Sequence, residues 1–231
     1  DLRHGKKIEY SSTVNQPFDS YEDYSSLKIF NVPETISISD NSIVGTPLAT
    51  QEQCVNYLLK NNTNPKITVS PEEIVAYYYE EAGREGIRPD VAFAQALKET
   101  GFFRYGGTVT PDQNNYCGLG TTSSDVKGAY FSSAQMGVRA QIQHLLAYAS
   151  TRKPSEPVVD PRYGLVRSSY GAQTLNSWTD LNGRWAVPGY SYGQSIMSMF
   201  REMYLAAGLA KRSGLLRQSL IERDQWNISY Y

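Results

Sequence analysis

Cysteine is scarce in this chain of 231 residues, which has only Cys54 and Cys117, far apart in the sequence. A disulfide framework is therefore excluded, although the sequence allows a single bridge. Long apolar runs are also missing, because the longest are a few residues and a transmembrane helix needs roughly 20. No apolar segment with a cleavage site opens the chain, so we expect any export signal to have been removed or to lie outside this sequence.

A surplus of charge of one sign is also absent. The chain has 22 basic and 23 acidic residues and a formal net charge of -1, whereas nucleic-acid-binding proteins carry a clustered basic surplus. The two histidines do not combine with Cys, Asp or Glu at the spacing of a metal site. Gly118-Leu119-Gly120 lacks the other glycines and the preceding strand of a nucleotide-binding fingerprint. We therefore expect no nucleic-acid partner, no metal and no cofactor.

The first 48 residues differ in composition from the rest. Residues 10–26 are rich in Ser, Tyr, Asp and Glu, and residues 29–44 contain short apolar-polar alternations that suit an edge strand. We expect residues 1–48 to form an extended arm or linker and residues 49–231 to form the main domain.

Helix signals repeat from residue 50 onward. Four helix starts are predicted from capping patterns: Thr50 with Gln53, the segment Ser70-Pro71-Glu72-Glu73, Pro89-Asp90, and Ser132 with Gln135. The third of these helices, which Gly101 should end, is apolar nearly all round and is therefore predicted to be central and buried. A further apolar stripe begins at Ile196.

Residues 106–133, between the third and fourth predicted helices, are rich in Gly, Thr, Ser and Asn. This composition predicts a loop with a small β-hairpin. The pattern of the whole chain therefore indicates a mainly α domain with one minor β lobe.

Glu99 is the residue whose position suggests chemistry. It lies in the last turn of the most apolar helix, where unpaired carbonyl groups carry partial negative charge. Burial and this helix end both oppose ionisation, so we expect a raised pKa. A carboxyl group that stays protonated near neutral pH can protonate the leaving oxygen of a glycosidic bond. A glutamate near a helix end is more often a surface or ion-paired residue, so the position alone does not establish catalysis.

Three motifs follow one another in the sequence. Residues 94–102 read AQALKETGF, residues 114–120 read NNYCGLG, and residues 160–163 read DPRY. In this order they resemble the signature of the glucosaminidases of glycoside hydrolase family 73: AQxxxE[ST]G, an NN-aromatic-x-G-[LI] loop and DPxY. The resemblance covers about residues 50–208. It implies an α+β fold, predominantly α, that is lysozyme-like, with a helical lobe and a small β-hairpin lobe flanking a cleft.

The resemblance also implies an activity and residues for it. The enzyme would be an endo-β-N-acetylglucosaminidase that cleaves peptidoglycan glycan strands, with Glu99 as general acid and Tyr163 lining the cleft near the scissile sugar. Glycosidases usually need a second carboxyl group. We take Asp125 for this role, and Asp112 is the other acid near the paired asparagines. If neither acid reaches the sugar, the N-acetyl group of the substrate is the alternative nucleophile.

Five further residues are candidates for substrate binding: Asn115, Tyr116, Arg104, Trp185 and Tyr192. The last two belong to an aromatic loop that could stack on pyranose rings, or whose Trp could simply cover the helix that follows. For Asn115, as for Asn114, the sequence favours a role in holding the loop under the β lobe, because Asn readily bonds its own backbone in turns.

Two other functions stay open at this point. A lytic transglycosylase shares the fold and a single glutamate at a helix end, and a non-catalytic wall-binding module could use the same scaffold. A cysteine peptidase built on Cys117 and His144 is disfavoured, because His144 sits on the flank of an amphipathic helix. We expect a monomer that is secreted to the bacterial cell wall.

Overall fold

The structure is a computed structural model that describes residues 8–9, 35–36 and 38–205. Contacts divide the chain into two compact units, Asp1–Asp40 with Tyr204–Tyr231, and Asn41–Met203. Most of the predicted arm lies outside the described residues, so the boundary after residue 48 stays a prediction. In the first unit, β1 (Ile8–Glu9) pairs with β2 (Thr35–Ile36) in antiparallel register.

The described chain is predominantly helical, which confirms the mainly α prediction. Its α-helices are α1 (Gln51–Asn61), α2 (Pro71–Glu85), α3 (Pro89–Thr100), α4 (Ala134–Ala149), α5 (Tyr163–Tyr170) and α6, which is helical over 192–205 as far as the structure describes it. Short 3-10 helices lie at Ile38–Asn41, Pro111–Gln113 and Trp178–Leu181. No helix in these described ranges is long and apolar enough to cross a membrane.

Local capping explains the starts of α1 and α2 and the ends of α2 and α3. Thr50 and Ser70 form complete capping boxes at the starts of α1 and α2, as predicted. α2 ends at Gly86 and α3 at Gly101, both in the left-handed conformation that glycine adopts without a steric penalty. The sequence therefore determines these boundaries through short-range hydrogen bonds.

The predicted start of α4 is wrong by one residue. Ser133, not Ser132, is the N-cap, and its hydroxyl accepts a hydrogen bond from the backbone N–H of Met136 at 3.2 Å. Gln135 does not complete a capping box, because its side-chain amide donates to Glu81 at 3.0 Å. A contact with α2 thus replaces the local contact that the pattern predicts.

The predicted β-hairpin is not shown. Residues 106–133, all of which are described, form turns and one 3-10 helix. The amide of Gln113 donates to the carbonyl oxygens of Lys127 and Ala129 at 2.8 and 3.2 Å, so a side chain satisfies groups that a partner strand would bond in a hairpin. The lysozyme-like arrangement of two lobes stays a prediction.

Helix α3 is the centre of the larger unit. Every residue from Val91 to Leu97 is buried, as its all-round apolar pattern predicts. α2 packs against α1, α3 and α4, and α5 packs against α4. Glu99 therefore stands where a buried helix reaches the surface.

Candidate active site

The chain turns sharply after Glu99. Gly101, Phe102 and Phe103 have φ values of 58°, 56° and 57°, a run of left-handed residues in which only the first is glycine. Each non-glycine residue in this region costs about 1–3 kcal/mol, and it persists only where the surroundings hold it. Phe103 is fully buried and packs against Phe93 and Tyr116, with ring centroids 6.2 and 5.7 Å away. This packing stabilises the turn that presents Glu99.

Glu99 lies in the last turn of α3, two residues before Gly101 ends the helix. The residue is exposed, yet protein groups crowd its carboxyl closely enough to displace much of its water. This burial raises the pKa of the Glu99 carboxyl, and the Tyr192 hydrogen bond and the Lys98 charge offset only part of the rise. The direction agrees with the expectation from the sequence. Glu99 can therefore hold a proton while remaining open to a substrate.

Tyr192, at the start of α6, donates its hydroxyl hydrogen to Oε1 of Glu99. Its side chain is buried, and burial together with the Glu99 carboxylate raises the pKa of the phenol well above its ordinary value. Tyr192 is therefore a permanent donor. The predicted Tyr192 and Glu99 are thus brought together, although substrate contact by Tyr192 stays a prediction.

A series of hydrogen bonds, which we name the polar relay, leads from the interior to Glu99. Tyr78 donates to Oε1 of Gln141 at 2.6 Å, and Nε2 of Gln141 donates to Oε1 of Gln95 at 2.9 Å. Nε2 of Gln95 donates to the hydroxyl of Tyr192 at 3.0 Å, and Tyr192 donates to Glu99. Every donor points toward Glu99, so the bond dipoles reinforce one another.

The NNYCGLG loop is fixed from within. Nδ2 of Asn115 donates to the carbonyl oxygen of Leu119 at 2.9 Å, and its Oδ1 accepts from the N–H of Leu119 at 3.0 Å. Tyr116 is 1% exposed and donates to Oδ1 of Asn114 at 3.3 Å. The structure thus places Asn115 and Tyr116 in the scaffold of the loop, where neither presents a surface to a sugar.

A cavity of about 210 Å³ opens beside this loop. Its lining comprises residues 117–122, His144, Tyr148, Arg162, Val166, Arg184 and Trp185. The predicted Trp185 forms part of this wall, and its ring centroid lies 4.6 Å from that of His144. A larger cavity of about 350 Å³ is lined by residues without a titratable group other than Tyr130, so it offers little chemistry.

Cys117 and His144 both line the cavity of about 210 Å³, but they lack the features of a peptidase site. Nδ1 of His144 is bonded to Asp160 at 2.8 Å, and no hydrogen bond joins Cys117 to His144 in the described structure. Burial raises the pKa of the Cys117 thiol well above its ordinary value, whereas a nucleophilic cysteine needs a lowered pKa. Cys54 and Cys117 are both free and buried.

Three predicted site residues form no hydrogen bond with Glu99 or Tyr192 in the described structure. Tyr163 donates to the carbonyl oxygen of Arg152 at 3.3 Å, and Arg104 donates to the carbonyl oxygen of Gly101 at 3.2 Å. Asp125 is exposed in the loop after the NNYCGLG motif and has no hydrogen bond to Glu99 in the described structure. Their roles in catalysis or binding stay predictions.

Asp112, the other acid considered, also has a local partner. The hydroxyl of Thr110 donates to its carboxylate at 2.5 Å, and this hydrogen bond lowers the pKa of Asp112. No group of three or more His, Cys, Asp and Glu side chains that could hold a metal occurs in residues 38–205.

Sequence reasoning missed the relay residues Gln95 and Gln141 as parts of the site. Both are fully buried. A signal for Gln141 exists, because a glutamine amid the apolar stripe of α4 needs buried hydrogen-bond partners. The pairing of His144 with Asp160 was likewise missed, and it joins α4 to the DPRY motif.

Comparison with known proteins identifies the family of the chain. The family model of glucosaminidases, described as mannosyl-glycoprotein endo-β-N-acetylglucosaminidase, matches residues 75–205. An uncharacterized protein of Borreliella burgdorferi is 39% identical over 136 residues, which are 58% of this chain and 64%, just under two thirds, of that relative. No solved structure matches the chain. The chain belongs to the glucosaminidase family, glycoside hydrolase family 73.

Proposed function

We propose that this protein is an endo-β-N-acetylglucosaminidase that cleaves peptidoglycan strands, with Glu99 as general acid. The observation that carries the proposal is the hydrogen bond from Tyr192 to Oε1 of Glu99. Because Tyr192 occupies Oε1, the acidic proton belongs on Oε2. A crowded carboxyl group with a raised pKa and one free oxygen has the properties of a glycosidase acid.

The first chemical step follows from this arrangement. Oε2 of Glu99 gives its proton to the glycosidic oxygen while the bond from that oxygen to C1 of the sugar breaks. The leaving sugar departs as an alcohol, and positive charge develops at C1 and the ring oxygen. Glu99 becomes a carboxylate, which the Tyr192 hydrogen bond and the nearby Lys98 charge stabilise. Water then attacks C1, and its proton returns to a carboxylate.

The group that assists this water attack is a separate part of the proposal. Asp125 would act directly only if its loop brings it toward the sugar, since inverting enzymes separate the two carboxyl groups by about 6.5–9.5 Å and retaining ones by about 5–5.5 Å. The alternative is the carbonyl oxygen of the substrate's N-acetyl group. The Asp125→Asn variant distinguishes Asp125 from the N-acetyl group. A loss of activity of at least about 10²-fold supports a role for Asp125, and a small loss supports substrate assistance.

Glu99→Gln tests the acid. The variant should lose at least about 10²-fold in the rate of wall lysis, the lower range for general acid catalysis. Glu72→Gln, an exposed glutamate in the first turn of α2, is the matched control and should retain full activity. Near-normal turnover by folded Glu99→Gln protein would overturn the assignment.

The products distinguish the remaining functions. New reducing ends at N-acetylglucosamine support the proposal, whereas anhydro-muramyl ends alone would establish a lytic transglycosylase. Protein that pellets with cell walls but never clarifies them would be a binding module.

The proposed substrate also bears on location. Peptidoglycan lies outside the cytoplasmic membrane, so the proposal includes secretion to the cell wall, where the protein would act as a monomer. Fractionation of the producing cells tests the first point, and the sedimentation mass of the purified protein tests the second.

A further inference from the structure

We propose that the cavity beside the NNYCGLG loop is a subsite for a sugar that carries a carboxylate, which Arg162 and Arg184 bind. The inference rests on the proposed function and specifies the part of the substrate that this site reads. We call the cavity the arginine subsite. Both arginines belong to its lining.

The arginine subsite lies within electrostatic reach of Glu99. Cys117 belongs to its lining, and the Glu99 carboxylate contributes to the raised pKa of the Cys117 thiol, which places the two groups within electrostatic reach. Leu119, in the same loop, also lines the cavity and packs in a cluster with Trp185. In this proposal, a glycan strand cleaved at Glu99 places a neighbouring sugar in the cavity.

Arg162 and Arg184 lack the carboxylate partner that four other arginines of the described residues have. Four arginines are paired with carboxylates: Arg84, Arg88, Arg139 and Arg152. Neither Arg162 nor Arg184 forms such an ion pair within the described ranges, and both are exposed where they meet the cavity. Two guanidinium groups without an internal anion can bind an external one.

Asp160, the nearest acid in sequence, does not neutralise this pair. Its Oδ2 is bonded to Nδ1 of His144 at 2.8 Å, and its Oδ1 accepts from the backbone N–H of Arg162 at 2.9 Å. The carboxylate is buried. It therefore shapes the chain at Arg162 and leaves the guanidinium free to face solvent.

Arg184 is held in position before any ligand binds. Its Nη1 donates to the hydroxyl of Tyr170 at 2.9 Å, and its Cζ lies 5.6 Å from the centroid of that ring. Trp185 and Tyr148, with ring centroids 6.1 Å apart, supply apolar surface on the same cavity. Aromatic surface beside a fixed guanidinium suits a pyranose ring that carries an anionic substituent.

Only one of the two sugars of peptidoglycan fits that description. N-acetylmuramic acid carries a lactyl ether that ends in a carboxylate or in a peptide with its own carboxylates, whereas N-acetylglucosamine is uncharged. A guanidinium group binds a carboxylate through two parallel hydrogen bonds. The arginine subsite would thus distinguish peptidoglycan from uncharged polymers of N-acetylglucosamine.

Charge removal at the two arginines tests the inference. Arg162→Gln and Arg184→Gln, singly and together, are compared with the wild type on peptide-bearing peptidoglycan and on soluble oligomers of N-acetylglucosamine. The double variant should lose at least about tenfold in kcat/KM on peptidoglycan, since it gives up the hydrogen bonds between two guanidinium groups and a carboxylate. It should change less than about twofold on the uncharged oligomers. An equal loss on both substrates would overturn the inference.

Two controls isolate the role of charge. Lys153→Gln removes one positive charge at an exposed position outside the cavity lining and should leave both activities unchanged. Arg162→Lys with Arg184→Lys retains the charge and should recover part of the lost activity on peptidoglycan. Failure of the lysine variant to recover any activity would contradict charge recognition.

A third substrate distinguishes the two sources of carboxylate. Removing the stem peptides with an amidase leaves the lactyl carboxylate on each N-acetylmuramic acid. If the double variant is impaired on this denuded glycan as well, the lactyl group is the ligand. If it is impaired only on peptide-bearing strands, the peptide carboxylates are the ligand.

A binding measurement separates this inference from the proposed catalysis. Isothermal titration calorimetry measures the binding of N-acetylmuramyl dipeptide and of chitobiose to the Glu99→Gln variant. The muramyl compound should bind more tightly, the preference should weaken with added salt, and it should vanish in the Arg162→Gln, Arg184→Gln background. Equal binding of both compounds would refute the arginine subsite, whatever the catalytic role of Glu99.

Discussion

Tyr192 donates its hydroxyl hydrogen to Oε1 of Glu99 across 93 positions of sequence, joining the start of α6 to the end of α3. The oxygen of that hydroxyl accepts in turn from Nε2 of Gln95 at 3.0 Å. The Tyr192 hydroxyl is therefore held between a donor, Gln95, and an acceptor, Glu99. This one contact determines which carboxyl oxygen is left to carry the catalytic proton.

Tyr192→Phe removes the hydrogen bond and leaves the ring. Because the bond lowers the pKa of Glu99, its loss should raise that pKa and move the alkaline limb of the pH profile of kcat/KM to higher pH. The maximal rate should fall at least about tenfold, since the carboxylate formed in the first step loses a hydrogen bond to a charged group. Tyr190→Phe, at a side chain 81% exposed, is the control. If the alkaline limb does not shift in Tyr192→Phe, Tyr192 does not set the pKa of Glu99 during catalysis.

The same raised pKa makes a prediction about stability. A carboxyl whose pKa is higher in the folded state favours folding at low pH, and this contribution is lost as pH rises from the ordinary value of 4.5 through the folded pKa. Glu99→Gln has no such titration. The Tm of the wild type should therefore fall relative to that of Glu99→Gln as pH increases over this range. A Tm difference that does not vary with pH would mean that burial leaves the Glu99 pKa unchanged.

Helix boundaries were accessible from sequence where the determining contacts are local. Thr50 and Ser70 bond backbone groups three residues away, so the pattern predicts both helix starts. The same logic fails at Ser132 and Ser133, where two adjacent serines compete and Gln135 is drawn to Glu81 on another helix. A short-range rule cannot anticipate that choice.

The site was predictable only in part for the same reason. The motif identifies Glu99, and the apolar helix around it explains the direction of its pKa shift. The residues of the polar relay come from far along the chain: Tyr192 is 93 positions from Glu99, and Gln141 is 46 positions from Gln95. Asn115 and Tyr116 stand in a motif whose residue types suit a substrate, yet their side chains hold the loop instead.

Gln141 should act on Glu99 through the polar relay as a positioning residue. Gln141→Met keeps the volume but removes the donor to Gln95 and the acceptor for Tyr78. We expect a lower Tm, because each buried polar group left without a partner costs about 1–3 kcal/mol of folding free energy. The alkaline limb should also shift upward, by less than in Tyr192→Phe, because Tyr192 loses its alignment but not its hydroxyl.

Gln143→Met separates this effect from general destabilisation. Gln143 is a buried glutamine on the same helix, and its amide bonds the chain at Pro157 and Val159, outside the relay. The Gln143→Met variant should lower the Tm by about as much as Gln141→Met does, without moving the alkaline limb of the pH profile. A limb shift of equal size in both variants would show that the relay has no specific role.

The tight contact between α4 and the turn at Asn114 leads to a prediction about Gly137. A Cβ at this position would lie 1.8 Å from the carbonyl oxygen of Asn114, a backbone atom that cannot move without displacing the NNYCGLG loop. Gly137→Ala should therefore destabilise the fold by at least about 1–3 kcal/mol and lower wall lysis. Gly83→Ala, on the exposed face of α2 with no atom within 4 Å of the new Cβ, should instead stabilise by about 0.5–1 kcal/mol. Urea denaturation of the two variants measures both, and changes of the same sign would refute the packing argument.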